Sequence, residues 1–198
     1  CQNAIDASEK ILAAKPLPET SDPKRPTGAS IEFDDVRFSY DGARRVIDGV
    51  TLSCPEGRLT ALVGPSGSGK TTLTRLIARF WDVDAGAVRI GGVDVRDMAV
   101  DELLGMISLV FQDVYLFDGT IEDNVRFGQP DATDEQVRRA ARIARLDQVA
   151  ERLEDGWGTR VGEGGGRLSG GERQRVSIAR ALLKDAPVVL LDEATAAV

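Results

Sequence analysis

The sequence predicts an α/β fold, with an antiparallel β portion near its start and a helical insertion in its second half. Three observations carry this. Gly64-Pro65-Ser66-Gly67-Ser68-Gly69-Lys70-Thr71 fits G-x-x-x-x-G-K-[ST] and sits between an apolar strand pattern at 60–63 and a helical pattern at 72–80. The residues before and just after this block alternate as half-buried strands do. Near the end, Val188-Val189-Leu190-Leu191 is an apolar run of the fully buried strand type, and Asp192-Glu193 follows it at once.

Taken in order, residues 2–14 carry a weak helical pattern, with Ile5, Ile11 and Leu12 on one face. Pro16, Pro18, Pro23, Pro26 and Gly28 mark residues 15–30 as a linker. A helix tail plus linker suits a domain with another before it, and suits an ordinary terminus equally. Ile31-Glu32-Phe33 and Val36-Arg37-Phe38-Ser39-Tyr40 alternate as strands, and residues 50–53 follow the Asp41-Gly42 turn. Residues 87–90 read as a strand closed by Gly91-Gly92, and Ser108-Leu109-Val110-Phe111 as a short apolar strand ending at Gln112. From Asp113 to about Ala150 strand signals vanish. A helix starts near Thr133, with Val137, Ala140, Ala141 and Ala144 inward. After a glycine-dense loop at 162–171, residues 172–184 read as a helix burying Val176, Ala179, Leu182 and Leu183, and Pro187 lies beyond its end.

Composition bounds the function. The 198 residues suit one domain, and 42% hydrophobic with 29% charged content predicts a packed core. A net charge of −7 weighs against a nucleic-acid partner. Cys1 and Cys54 make no disulfide framework, and with no histidine there is no imidazole metal ligand or base. No run approaches the roughly 18 apolar residues of a membrane span.

The glycine-rich block carries chemistry for phosphate. Glycines let consecutive backbone N–H groups converge on an anion, and the helix N-terminus adds positive potential. Lys70 would reach the β- and γ-phosphates, and the Thr71 hydroxyl would hold Mg²⁺. Asp192 fits the second Mg²⁺ contact of such a site. Glu193, at the carboxyl end of the strand, could take a proton from an attacking water. Alone, the two acids read better as a solvated strand end; beside the phosphate loop the chemical reading takes precedence.

Leu168-Ser169-Gly170-Gly171-Glu172-Arg173-Gln174-Arg175 resembles the signature of the ATP-binding cassette (ABC) ATPases, with Glu172 where the family usually has Gln. Gln112 resembles that family's Q-loop residue, Tyr40 its adenine-stacking aromatic, and Asp192-Glu193-Ala194-Thr195 its Walker B end. The resemblance covers about residues 31–198, with the motifs in family order. It implies a P-loop NTPase core of the RecA-like kind that binds ATP and Mg²⁺. Gly64, Pro65, Ser66, Gly67, Ser68, Gly69, Lys70, Thr71 and Thr72 would hold phosphates, with Mg²⁺ on Thr71, Gln112 and Asp192 and Glu193 as the base. Ser169, Gly170 and Gly171 would meet the γ-phosphate across a dimer of two such domains, identical or not.

Phe117-Asp118-Gly119-Thr120-Ile121-Glu122-Asp123-Asn124-Val125 and Thr159-Arg160-Val161-Gly162-Glu163 resemble segments of exporter-type ABC transporters. There the second stretch contacts the membrane domain. The resemblance implies that residues 1–30 are the tail and linker from a transmembrane domain. Residues 31–198 are then the ATPase domain, with a helical subdomain at about 113–165, on the cytoplasmic face of a membrane. The transmembrane partner belongs to the same or a partner subunit. The family's switch histidine falls after Val198, so the expectation is a C-terminally truncated, poorly active piece. A soluble ABC-type ATPase serving DNA, ribosomes or metallocluster assembly would share every nucleotide motif. The two exporter-like stretches and the N-terminal tail favour the membrane partner.

Overall fold

The computed structural model describes residues 16–192. The helical pattern at 2–14 and the acid Glu193 lie outside the described residues. The chain forms two compact units, divided after Val100.

In the first unit, β1 (Ile31–Phe38), β2 (Ile47–Cys54), β3 (Ala85–Ile90) and β4 (Val93–Asp94) form one antiparallel sheet in the order β2-β1-β3-β4. The two alternating pieces of sequence are one strand. Ile31 and Phe33 are buried, then Val36 and Phe38, and the skipped residue is a bulge. Asp35 takes φ 44° there, and its amide donates to Thr51 Oγ1 at 3.1 Å. Opposite the bulge, a Cβ on Gly86 would fall 2.3 Å from the Asp34 carbonyl oxygen, so the strands approach closely only with glycine at that position.

Helix α1 (Lys70–Ile77) turns Leu73, Leu76 and Ile77 inward. Residues 60–63, expected as a buried strand, carry none. Leu59 is 94% and Val63 93% exposed. A strand exists only as part of a ladder, and among the described residues no strand pairs with this stretch. Residues 16–30 lack regular structure, as their composition implies, yet are fastened. The Lys24 amide donates to the Asp97 carbonyl at 2.8 Å, the Gly91 amide to Ser30 O at 2.8 Å, and the Ala29 amide to Glu56 Oε2 at 3.0 Å.

In the second unit, β5 (Ile107–Val110) and β6 (Val188–Leu191) pair in parallel, Val110 opposite Leu191. Helices α2 (Val100–Gly105), α3 (Ile121–Arg126), α4 (Asp134–Ile143), α5 (Asp147–Ala150) and α6 (Gly170–Lys184) complete the described α-helices. The expected helical insertion is present. Its core joins Leu116, Ile121, Val125, Val137 and Leu146 to Val176 and Ala179 of α6. Thr120, Thr133 and Ser169 each open a helix with a reciprocal capping box. Strand β6 differs from the fully buried type. Val188 and Leu190 are buried, but Val189 is 53% and Leu191 51% exposed. Leu182, expected inward on α6, is exposed as well.

Candidate nucleotide-binding site

The phosphate-type loop is shaped by backbone conformation. Gly67 takes φ 79°, and Gly69, at the N-cap of α1, takes φ 90°. Both lie in the left-handed region, which glycine enters without the Cβ penalty. Gly69 is also confined. A Cβ there would stand 2.6 Å from Ile47 Cδ1 and 3.3 Å from the Val46 carbonyl oxygen. No side chain caps α1 and its first turn carries no acid, so its leading amides and dipole are directed at the loop unopposed. Lys70 Nζ donates to the carbonyls of Gly64 and Pro65, 3.0 Å each, and holds the loop closed. The Ser68 amide donates to Pro65 O at 3.2 Å. Ser66 and Ser68 are exposed. The donor set suits an anion: a helix N-terminus that no side chain caps, approached through left-handed glycines, and one ammonium.

Tyr40 stands in the same unit. Its hydroxyl shares a hydrogen bond of 3.1 Å with that of Thr72, the third residue of α1. Phe38 meets the Tyr40 ring edge-on at 4.9 Å, and Trp81 does so at 5.0 Å. Tyr40 is therefore fixed by two aromatic edges and one hydroxyl, with nearly half its surface open. Sequence reading singled out Tyr40 but missed Trp81, whose part depends on a contact across the chain. After Tyr40, the Asp41 carboxylate accepts from the amides of Ala43 and Arg44 and from the Ser39 hydroxyl. Those bonds, led by the Arg44 amide, pull its pKa down to about 2.

The remaining candidates fall in the second unit. The parallel strands β5 and β6 end side by side. The Asp192 amide extends their ladder by donating to Val110 O at 3.0 Å. Gln112, two residues beyond β5, and Asp192, one beyond β6, leave the same carboxyl end of this sheet, where ligands of α/β sheets bind. Ser169 and Gly170 are exposed at the start of α6. Glu172 accepts from the Ser169 amide at 2.9 Å and from Arg152 at 3.0 Å, while Ser169 Oγ accepts from the Glu172 amide at 3.4 Å. The Ser169 amide is the main reason the Glu172 carboxyl sits below its usual pKa. Glutamate thus does at this position what a capping glutamine does, with a charge that suits the helix dipole.

The two exporter-like stretches, some forty residues apart in sequence, are joined. Thr120 and Arg160 form an isolated antiparallel bridge, flanked by Ile121 N to Thr159 O at 3.0 Å and Val161 N to Gly119 O at 2.9 Å. Beside them Tyr115, Phe117 and Phe127 form an exposed aromatic patch, with Phe117 and Phe127 centroids 4.5 Å apart. The Arg180 guanidinium of α6 lies 5.8 Å from the Phe117 ring and 5.5 Å from that of Phe127. It donates to the backbone carbonyl and Oδ1 of buried Asn124. Nothing local in the sequence marks Asn124 or Arg180 as partners, since 56 residues separate them.

Fold and loop define a nucleotide-binding domain of the P-loop class. A family profile described as ABC transporter matches residues 47–196, and the chain belongs to that family. It is 54% identical over 195 residues to the mycobactin import ATP-binding/permease protein IrtB of Mycolicibacterium thermoresistibile, covering 98% of this chain and 34% of that protein. It is 45% identical over 202 residues to an ATP-dependent lipid A-core flippase of Desulfotalea psychrophila, covering 99% of this chain and 35% of that one. Among solved structures it matches a bacterial Atm1-family ABC exporter with ATP bound, at a TM-score of 0.91 and 38% identity, over 100% of this chain and 35% of that chain. The chain thus spans about a third of the length of the relatives it matches.

Proposed function

We propose that this chain is the ATP-binding and ATP-hydrolysing domain of an exporter-type ABC transporter, with residues 31–198 as the ATPase domain and a helical subdomain at about 113–165. Residues 1–30 are its tail and linker from a transmembrane domain on the cytoplasmic side of a membrane. The observation that carries the reading is the loop before α1: left-handed glycines, an uncapped helix N-terminus, and Lys70 anchored on two loop carbonyls. A triphosphate would replace those carbonyls as the Lys70 acceptor. Tyr40 would stack on adenine with Trp81 holding its ring, and Thr72 would lie near the α-phosphate.

Mg²⁺, when bound, draws charge from the β- and γ-phosphates. Thr71, Gln112 and Asp192 would hold it, and one hydroxyl, one amide and one carboxylate suit a cation that takes most of its ligands from phosphate and water. Glu193 would accept the proton of the attacking water at its carboxylate. Ser169, Gly170 and Gly171 would face the γ-phosphate bound by a second ATPase domain. The aromatic patch at Tyr115, Phe117 and Phe127, close in the chain to residues 119–121 that pair with 159–161, supplies a surface for the membrane domain. This favours a membrane partner over a soluble cassette ATPase. Among the described residues no helix is long and apolar enough to cross a membrane. One relative is named for import and another as a flippase, at 54% and 45% identity, so likeness to them assigns no direction of transport.

The test is calorimetry of Mg²⁺ with a non-hydrolysable ATP analogue on Lys70→Ala. A charge-assisted contact is worth roughly 1.5–3 kcal/mol, so affinity should fall by about tenfold or more. Unchanged affinity removes the loop from the nucleotide site.

A further inference from the structure

Residues 16–30 take no part in the nucleotide chemistry, yet they are the most proline-dense stretch of the chain and are held along the first unit. Most of their fastenings reach the sheet side: Lys24 to Asp97, Thr27 to Gly91, Ala29 to Glu56. One reaches the phosphate-loop helix. Arg79, two residues after α1, is 7% exposed and adopts a left-handed φ of 52°. Its Nε donates to Asp82 Oδ1 at 2.8 Å, and one terminal nitrogen donates to Asp82 Oδ2 at 3.3 Å and to the Pro18 carbonyl oxygen at 2.6 Å.

Each of these features is costly alone. A left-handed non-glycine residue is strained, and a buried guanidinium is tolerated only when its N–H groups find acceptors. Asp82, three residues on, supplies two of those acceptors from the same turn. The third comes from 61 residues earlier. Because the guanidinium is a rigid plane, its bonds to Asp82 and to Pro18 together fix the Pro18 backbone relative to the end of α1. Pro16 and Pro18 stiffen the chain on either side of Leu17, so a displacement at Pro18 is carried along the strap rather than absorbed in it.

We infer that Arg79 is a positioning residue, a latch through which the strap of residues 16–30 and the phosphate-loop helix move as one body. Occupation of the loop at the N-terminus of α1 is then felt at Pro18, and the orientation of the strap acts back on nucleotide affinity by the reciprocity of coupled sites. The inference rests on the nucleotide site proposed above.

The experiment uses the full-length transporter, Mg²⁺ with a non-hydrolysable ATP analogue, and trypsin. In the strap, Lys15 and Arg25 each precede a proline and resist cleavage, so the Lys24–Arg25 bond is the one tryptic site, and its cleavage reports local opening. In the wild type, saturating analogue should slow that cleavage by about fivefold or more. In Arg79→Gln the analogue should still bind, with the slowing abolished. Asp82→Asn keeps an acceptor for Nε and the bond to Pro18, and should keep the slowing. Should Arg79→Gln not fold, replacing residues 17–19 by Gly-Ser-Gly keeps Pro16, so Lys15 stays resistant to trypsin, leaves Arg79 in place and should also abolish the response. Slowing that survives in Arg79→Gln or in the replaced strap, or that is lost in Asp82→Asn, overturns the latch. Failure of the wild type to bind the analogue sinks the nucleotide reading. Binding with an unresponsive strap sinks the latch alone.

Discussion

Gly69 shows how a single atom sets the loop. At φ 90° it occupies backbone space where a side chain clashes with its own carbonyl, and its missing Cβ leaves room for Ile47 Cδ1. Gly69→Ala should lower stability by about 2 kcal/mol or more, from left-handed strain plus displacement of a buried isoleucine. Chemical denaturation measures this, and an unchanged midpoint would show that the loop relaxes freely. The same residue matched the sequence pattern, because the motif is a record of backbone geometry. Tyr40, which lies two residues past β1 rather than within it, was legible through the family resemblance. Trp81, which braces it, was not, because its role is defined by a ring 41 residues away. For the proposed base, Glu193→Gln in the full-length protein keeps the shape of the carboxyl and removes its basicity. ATP binding should persist while turnover is lost. Steady-state hydrolysis at the wild-type rate removes Glu193 from that role.

Among elements, α6 was read correctly in type but begins at Gly170, two residues before the expected start, because Ser169 and Glu172 cap it reciprocally. Glu172→Ala removes the acceptor for the Ser169 amide and should cost about 1 kcal/mol, while Glu172→Gln keeps the capping box and should cost less. The Glu172 carboxyl titrates below its usual 4.5 in the folded state. Its contribution is therefore fully present above that value and lost as pH falls through the lowered one. Thermal melts from pH 7 downward should show Glu172→Ala converging on the wild type in acid. A gap that stays constant would mean that the charge plays no part. Strand type was less legible than helix type. Residues 60–63 have the apolar pattern of a buried strand without a ladder, and β6 is covered on one face, because a strand's burial is decided by neighbours that periodicity cannot name. The strap is the converse case. Its prolines read as a linker, and its fastening by Arg79, Asp97 and Glu56 is long-range in every instance.

For the whole molecule, the candidate residues divide between the units. Tyr40 and the phosphate loop belong to the first, while Gln112, Asp192 and Ser169 belong to the second. The proposed function assigns Ser169 and Gly171 to a nucleotide bound by another copy, and this has a sharp consequence in a mixed dimer. One subunit carries Lys70→Ala and its partner carries Ser169→Arg. If the signature acts in trans, the broken loop of the first subunit meets the broken signature of the second, so both lesions fall on one composite site. The other site pairs an intact Lys70 with an intact Ser169. Each homodimer, by contrast, has two damaged sites. ATP turnover by the purified mixed dimer should therefore exceed that of either homodimer and approach half the wild-type rate if the sites act independently. If the signature acts in cis, each subunit of the mixed dimer holds one lesion and both sites fail. Turnover no higher than that of the homodimers then removes the independent trans assignment of Ser169. Ser169→Arg keeps the Ser169 backbone amide that Glu172 accepts from but loses the hydroxyl half of the capping box. The melting midpoint of that homodimer must stay within a few degrees of the wild type for the comparison to report on the site rather than on the helix.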